Sequence, residues 1–326
     1  MQTPAKEDTG SGGEGSPRSI SIILNRQAAE SREMREAIAH FSSRGHAIEE
    51  LLIQEPDDPV RLAAEAAQKG VDAVVSAGGD GTLNLTINGV FRAQGSRMRA
   101  VGIVPFGTGN DFALGCGIPK LPFEALKLIV ESEPVPVDIG KVKDQVFLNL
   151  ASFGFPAEVT TDSPSAMKAV LGGFAYVLTG LAKAVTASSK HVRLATSGIQ
   201  WEGEILAAFI CNGRQAGGGF QICPQALLDD GLFEVLIIPE MQTTELLSLA
   251  DDFMGLTERV ESDKIISFQT TWMELDTSEE IQVNLDGEPL EGKSFRFELL
   301  NRKLPFFLPP TAPLIGKEAR REEGMT

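Results

Sequence analysis

The run Val71-Asp-Ala-Val-Val-Ser-Ala-Gly-Gly-Asp-Gly-Thr-Leu-Asn-Leu-Thr-Ile-Asn-Gly-Val90 constrains the fold more than any other stretch of the chain. It begins with an apolar segment, residues 71–77, of the length and composition of a buried strand. Gly78, Gly79, Asp80, Gly81 and Thr82 follow, and then Leu83, Ile87 and Val90 recur at helical spacing. A strand, a glycine turn and a helix start make an anion site. The glycines let the backbone approach a phosphate, and the N–H groups of the first helical turn point at it. Asp80 would repel that phosphate, so Mg²⁺ or a metal-bound water is expected beside it. The plain alternative is a glycine-rich βα turn with Asp80 as a helix cap. A P-loop and the dinucleotide fingerprint are both excluded, because neither Gly-x-x-x-x-Gly-Lys-Ser/Thr nor Gly-x-Gly-x-x-Gly occurs here.

Around this run the chain alternates strands with helices. Strands are expected at residues 19–24, 47–53, 71–77 and 99–105, and helices at 31–45, 58–69 and 122–132. Asp58-Pro59 reads as an N-cap followed by proline at the first helical position, and Gly70 as a stop. Such alternation predicts a mostly parallel sheet with helices on both faces. Ligands of these sheets bind at the carboxyl ends of strands. Both glycine turns fall there, the second being Phe106-Gly-Thr-Gly-Asn-Asp-Phe-Ala113. Composition shifts at Glu133-Pro-Val-Pro-Val137. Beyond it, a hairpin around Lys143-Asp144 and runs at 191–196, 203–212, 231–238, 265–268, 272–275, 280–285 and 293–299 read as antiparallel strands, most simply a β-sandwich. Only 164–187 and 243–260 look helical there. Residues 1–17 are polar, rich in Gly and Ser, and read as a disordered tail.

The balance of 29 basic against 45 acidic residues gives a net charge of −16. That excludes nucleic-acid binding through the general surface and disfavours tight docking on an anionic membrane. Cys116, Cys211 and Cys223 form no Cys-x-x-Cys spacing and read as packed thiols in a reducing compartment, the cytoplasm. His40, His46 and His191 are not spaced as a zinc set. The apolar stretch 169–182 is shorter than the ~20 residues needed to cross a bilayer and reads as a buried helix.

Three further clusters carry polar chemistry. Thr108, Asn110 and Asp111 read either as phosphate and cleft contacts or as a helix cap with an Asx turn. Asn212-Gly-Arg-Gln-Ala-Gly-Gly-Gly219 ends in three glycines, which suit a backbone pressed against a partner or a mobile loop. Asp229-Asp230-Gly231 offers a carboxylate to a hard cation, or is an ordinary turn before a strand. In Asn284-Leu-Asp-Gly-Glu-Pro-Leu290, Asp286-Gly287 reads as a hairpin turn. Glu288 is then either a general base for an acceptor hydroxyl or a solvated turn residue.

Taken together and in order, Gly78–Thr82, Pro105–Ala113, Asn212–Gly219 with Cys223-Pro224, Asp230-Gly231-Leu232 and Asn284–Leu290 resemble the diacylglycerol kinase catalytic domain family, and most closely its bacterial YegS-type branch. The resemblance covers residues 19–314. It implies a two-domain α/β + β protein with the active site in the cleft between the domains. An N-terminal Rossmann-like nucleotide-binding domain spans 18–134 and is completed by 304–326, and a C-terminal antiparallel β-sandwich domain spans 135–303. It implies an ATP-dependent lipid kinase acting on a glycerolipid hydroxyl, with transient membrane-surface contact. Gly78, Gly79, Asp80, Gly81, Thr82, Leu83, Asn84 and Thr108 fall on the nucleotide-binding loop and contacts. Asp230, with the backbone carbonyls of Leu227 and Leu232, falls on a position for Mg²⁺, or Ca²⁺ in its place. Glu288 falls on the proton-acceptor position. A phosphate-contacting threonine of the branch has no clear counterpart near Gln54. A kinase for a non-lipid hydroxyl, of the NAD-kinase type, shares residues 78–82 but not the Gly-Thr-Gly-Asn-Asp run. A nucleotide-binding module without catalysis has no need of both Asp80 and Glu288.

Overall fold

The computed structural model describes residues 16–93, 99–154, 189–252 and 262–316. Four short apolar strands build the parallel half of the sheet. They are β1 (Ser19–Leu24), β2 (Ala47–Leu52), β3 (Ala73–Gly78) and β4 (Ala100–Pro105), in the order β2-β1-β3-β4. β3 and β4 are buried at every position, as strands covered on both faces must be. The helices of this half are α1 (Arg26–Glu30), α2 (Arg32–Ser43), α3 (Asp58–Lys69), α4 (Asp80–Arg92), α5 (Asp111–Cys116) and α6 (Pro122–Glu131). α2 starts where the Ser31 hydroxyl accepts from the Met34 N–H, and it buries Met34, Ala37, Ile38 and Phe41. α3 stops at left-handed Gly70. Its start differs from the sequence expectation. Asp58 is the first helical residue rather than the cap, and its carboxylate accepts from the N–H groups of Gln54 and Glu55, each at 2.9 Å. The Arg61 guanidinium and those amides draw its carboxyl down to about 2.

The second half is β-rich. It comprises β5 (Val135–Val142), β6 (Gln145–Phe147), β7 (Leu150–Phe153), β8 (Lys190–Ala195), β9 (Gln200–Cys211), β10 (Gln215–Ala216), β11 (Phe220–Gln221), β12 (Phe233–Pro239), α7 (Thr243–Asp252), β13 (Ile266–Thr270), β14 (Trp272–Leu285) and β15 (Glu288–Phe306). Phe147, Phe209, Phe233, Phe295 and Phe297 fill its interior. Two expectations change. The runs at 272–275 and 280–285 are one strand, β14, whose register shifts between Asp276 and Ile281. The run at 293–299 is the middle of the 19-residue β15.

β15 joins the two halves. It pairs antiparallel with β14 and β5, and at its far end Phe306 pairs parallel with Val101 of β4. A 13-stranded sheet therefore runs through the molecule. Beyond β15, Phe307, Leu308, Ala312 and Leu314 are buried in the two cores that flank the parallel strands.

The helix expected at 164–187 and most of the expected tail lie outside the described residues. The helix expected at 243–260 is α7, described as far as Asp252. Cys116, Cys211 and Cys223 are buried thiols and form no disulfide with one another. His40 and His46 both pack on Phe41, and His191 lies between Glu202 and Glu204.

Candidate active site

The two glycine turns lie side by side because β3 and β4 are neighbours that end in register, Gly78 opposite Pro105. The Phe106 N–H donates to the Gly78 carbonyl at 2.8 Å. Beyond this bond the backbones touch. A Cβ on Gly107 would stand 2.5 Å from the Gly79 Cα, so no side chain fits there. Asn110, left-handed at φ 51°, clamps the second turn: its Oδ1 accepts from the Gly107 N–H at 2.9 Å and its Nδ2 donates to the Gly107 carbonyl at 2.7 Å. The Asn110 side chain thus shapes the turn and makes no cap bond to α5. Gly81 has open space around it and Thr108 is exposed, so both face solvent.

Asp80 opens α4, and its Oδ1 accepts from the Phe112 N–H at 3.3 Å. Thr82 packs beneath Gly78, where a Cβ would meet the Thr82 hydroxyl at 2.5 Å. Leu83 and Asn84 are buried, and the Leu83 N–H already donates to the Gly79 carbonyl at 3.0 Å. Asn84 looks away from the turn. Its Nδ2 lies 3.3 Å from the Val146 carbonyl and 3.3 Å from the Asp286 carboxylate. One turn on, Asn88 donates to the Val146 carbonyl at 2.9 Å and accepts from its N–H at 2.9 Å. These buried bonds fasten the glycine-turn helix to β6 and to the β14–β15 hairpin.

Asp286 is the residue that sequence reasoning undervalued. Asp286-Gly287 is the expected two-residue turn, with φ of 51° and 107°. Its carboxylate, however, turns inward and accepts from the N–H groups of Leu148 at 2.5 Å, Asn149 at 3.0 Å and Leu150 at 2.9 Å, besides Asn84. Burial pushes its carboxyl up to about 6 although all four donors favour the anion. Asp286→Ala strands these donors and should cost about 2–4 kcal/mol in chemical denaturation at pH 7. The folded pKa lies above the ~3.9 of an unfolded aspartate. Ionised Asp286 therefore costs stability above about pH 6, and that cost fades as the pH falls toward 4. Relative to Asp286→Asn, the wild type should gain stability between pH 7 and pH 5.

Glu288 stands two residues after Asp286, half-buried, at the start of β15 and opposite Leu285. The Asn84–Asp286 bond therefore links the helix that Asp80 opens to the hairpin on which Glu288 stands. A third loop reaches the same place. The hairpin of β10 and β11 carries Gly217, Gly218 and Gly219, and the buried Asp111 carboxylate accepts from the Gly218 N–H at 2.9 Å and from the Gly219 N–H.

Asp230 lies in the bend before β12, between Leu227 and Leu232, and its Oδ1 accepts from the Leu232 N–H at 3.0 Å. Partial burial pushes its carboxyl up to about 6, and the carboxylates of Asp138, Asp229 and Glu234 push the same way. Asp138 is fully buried, and burial raises its carboxyl too, against the Arg302 and Gly231 N–H groups that it accepts from. Among the described residues, no group of three His, Cys, Asp or Glu side chains is placed to hold a metal. The Asp230 carboxylate, inside this negative field, is an oxygen donor of the kind a hard cation takes.

Comparison with known proteins agrees with this architecture. Residues 19–142 match the model of the diacylglycerol kinase catalytic domain. Residues 149–307 match that of the YegS C-terminal NAD kinase beta sandwich-like domain. A relative from Citrobacter koseri, named "Probable lipid kinase YegS-like", is 38% identical over 295 residues, 90% of this chain and 97% of its own. One of that name from Klebsiella pneumoniae (strain 342) is 39% identical over 295 residues with the same coverage. "Probable lipid kinase YegS" of Escherichia coli O127:H6 is 37% identical over 297 residues, again 90% and 97%. A crystal structure from Bacillus anthracis aligns with a TM-score of 0.75 at 25% identity, over 90% of this chain and 99% of that one. The fold and site define a two-domain kinase, an α/β catalytic domain followed by a β-sandwich-like one. The chain belongs to the diacylglycerol kinase catalytic domain family, in its YegS branch.

Proposed function

We propose that the protein transfers the γ-phosphoryl group of ATP to a free hydroxyl of a glycerolipid of the diacylglycerol or phosphatidylglycerol type. The observation that carries this reading is the link from Asn84 to Asp286, which ties the helix of the glycine turn to the hairpin bearing Glu288. Residues 78–82 and Thr108 bind the nucleotide phosphates. Gly79 and Gly107 bring the two turns into backbone contact, where a side chain at Gly107 would clash with the Gly79 Cα and the Asn110 Oδ1. Glu288 takes the proton of the acceptor hydroxyl as its oxygen bonds to phosphorus and the bond to the leaving ADP breaks. Asp80 faces the phosphate turns and fixes the Phe112 N–H between them. Asp230 and the backbone carbonyls of Leu227 and Leu232 are the groups that would hold a divalent cation, Mg²⁺ or Ca²⁺ in its place. When bound, Mg²⁺ offsets charge on the transferring group. Leu114, 46% exposed beside the Gly219 backbone, gives an acyl chain an apolar contact. No described helix is long and apolar enough to cross a membrane.

Incubation with labelled ATP and a total lipid extract, followed by mass spectrometry, tests this directly. A glycerolipid carrying one labelled phosphoryl group is the expected product. Labelled NADP from added NAD, with no labelled lipid, would overturn the reading in favour of a non-lipid kinase.

A further inference from the structure

We propose that residues 217–219 form a phosphate-binding nest, and that the Asp111 carboxylate it holds gives way there to a phosphate oxygen. Three successive residues, Gly217, Gly218 and Gly219, have φ of 67°, 89° and 96°. Only glycine repeats the left-handed conformation in this way without strain. Such a run turns consecutive N–H groups toward one point and makes a concave anion site. In this structure the point is filled. The Gly218 N–H lies 3.1 Å and 2.9 Å from the two Asp111 oxygens, and the Gly219 N–H donates to Asp111 Oδ1. A carboxylate and a phosphate offer these amides the same thing, charged oxygens with free lone pairs.

The surroundings show that an anion can reach the nest. The nest is solvent-facing, with Gly217 and Gly218 exposed and open space around Gly218. It abuts the nucleotide turns. A Cβ on Gly109 would stand 3.3 Å from Asp80 Oδ2, 3.4 Å from the Gly218 Cα and 3.6 Å from Asp111 Oδ2. Asp80 and Asp111 thus flank one glycine, so their carboxylates repel each other and any approaching phosphate. By neutralising Asp111, the nest keeps that side of the site passable. With Asp111 displaced, the nest presents the Gly218 and Gly219 N–H groups to an anion. Leu114 lines its rim, with its Cδ2 3.6 Å from the Cβ position of Gly219. An anion cradle with an apolar rim fits a phosphate that carries an acyl chain. Assigning the phosphate to a lipid headgroup or to the nucleotide rests on the lipid-kinase reading; the nest itself does not.

The test is a titration of the full-length protein with inorganic phosphate, read on the amide NMR signals of Gly218 and Gly219. The wild type should show saturable shifts at those two signals. Asp111→Asn removes the charged competitor and should tighten phosphate binding by about tenfold, whereas a merely structural Asp111 would weaken it. Gly218→Ala cannot keep the nest unstrained and should lose at least about tenfold. If that variant misfolds, the Asp111→Asn arm decides alone. Silent Gly218 and Gly219 signals in both wild type and Asp111→Asn, or weaker binding in Asp111→Asn, overturn the nest. Displacement of phosphate by ATP identifies the nucleotide as the source, and displacement by micellar phosphatidylglycerol but not diacylglycerol identifies the headgroup. Displacement by neither overturns the assignment to the reaction. A phosphate response without lipid phosphorylation keeps the nest and sinks the lipid-kinase reading, and the reverse sinks the nest alone.

Discussion

Asp80→Ala should lower phosphoryl transfer by at least about 10³-fold while the protein melts within a few degrees of the wild type. The structural contribution of Asp80 is small. It opens α4 and makes one long hydrogen bond, 3.3 Å, to the Phe112 N–H. A bond of that kind contributes about 1 kcal/mol. The chemical contribution is larger because the carboxylate stands where both glycine turns and Gly109 meet. A radiometric transfer assay beside a thermal melt separates the two. Substantial turnover in a strongly destabilised variant would leave Asp80 the structural role of holding the Phe112 N–H.

Glu288→Gln should lose about 10²–10⁴-fold in turnover and keep nucleotide affinity within about twofold. Glutamine preserves the size and the hydrogen-bonding reach of the side chain but cannot take a proton. Glu288 is half-buried at the first position of β15, and its neighbour Asp286 holds the turn by four hydrogen bonds, so the hairpin should survive the change. A wild-type rate in Glu288→Gln would end the base assignment. Loss of nucleotide binding would move Glu288 to the nucleotide site.

How much of this was legible in the sequence depends on how local the cause is. The helices at Arg32–Ser43 and Asp58–Lys69 were readable because apolar spacing and Gly70 are local signals. The glycine turn of residues 78–82 was readable for the same reason, and the family models confirm the fold that it anchored. Asp286 was readable only as a turn. Its partner amides lie 136–138 residues away, and no local pattern announces them. Asn84 shows the same limit: its motif position suggested the nucleotide, while its amide reaches Val146 and Asp286 across the sheet. β14 was split by Thr277-Ser-Glu-Glu280, whose polar residues follow a register shift rather than a strand end. β15 was cut short at the polar Asn301-Arg302-Lys303, beyond which it crosses into the other half.

That crossing also bears on how the molecule comes into being. The parallel β4 strand, already paired with β3, finds its second neighbour only when Phe306, more than 200 residues further on, has been made. During synthesis from the N-terminus, the half that carries the phosphate turns emerges early but waits with one flank of β4 open. Contacts this distant in sequence form slowly. A nascent chain on the ribosome therefore exposes β4 for most of translation, and a chaperone that shields hydrophobic strand edges would find its binding site there.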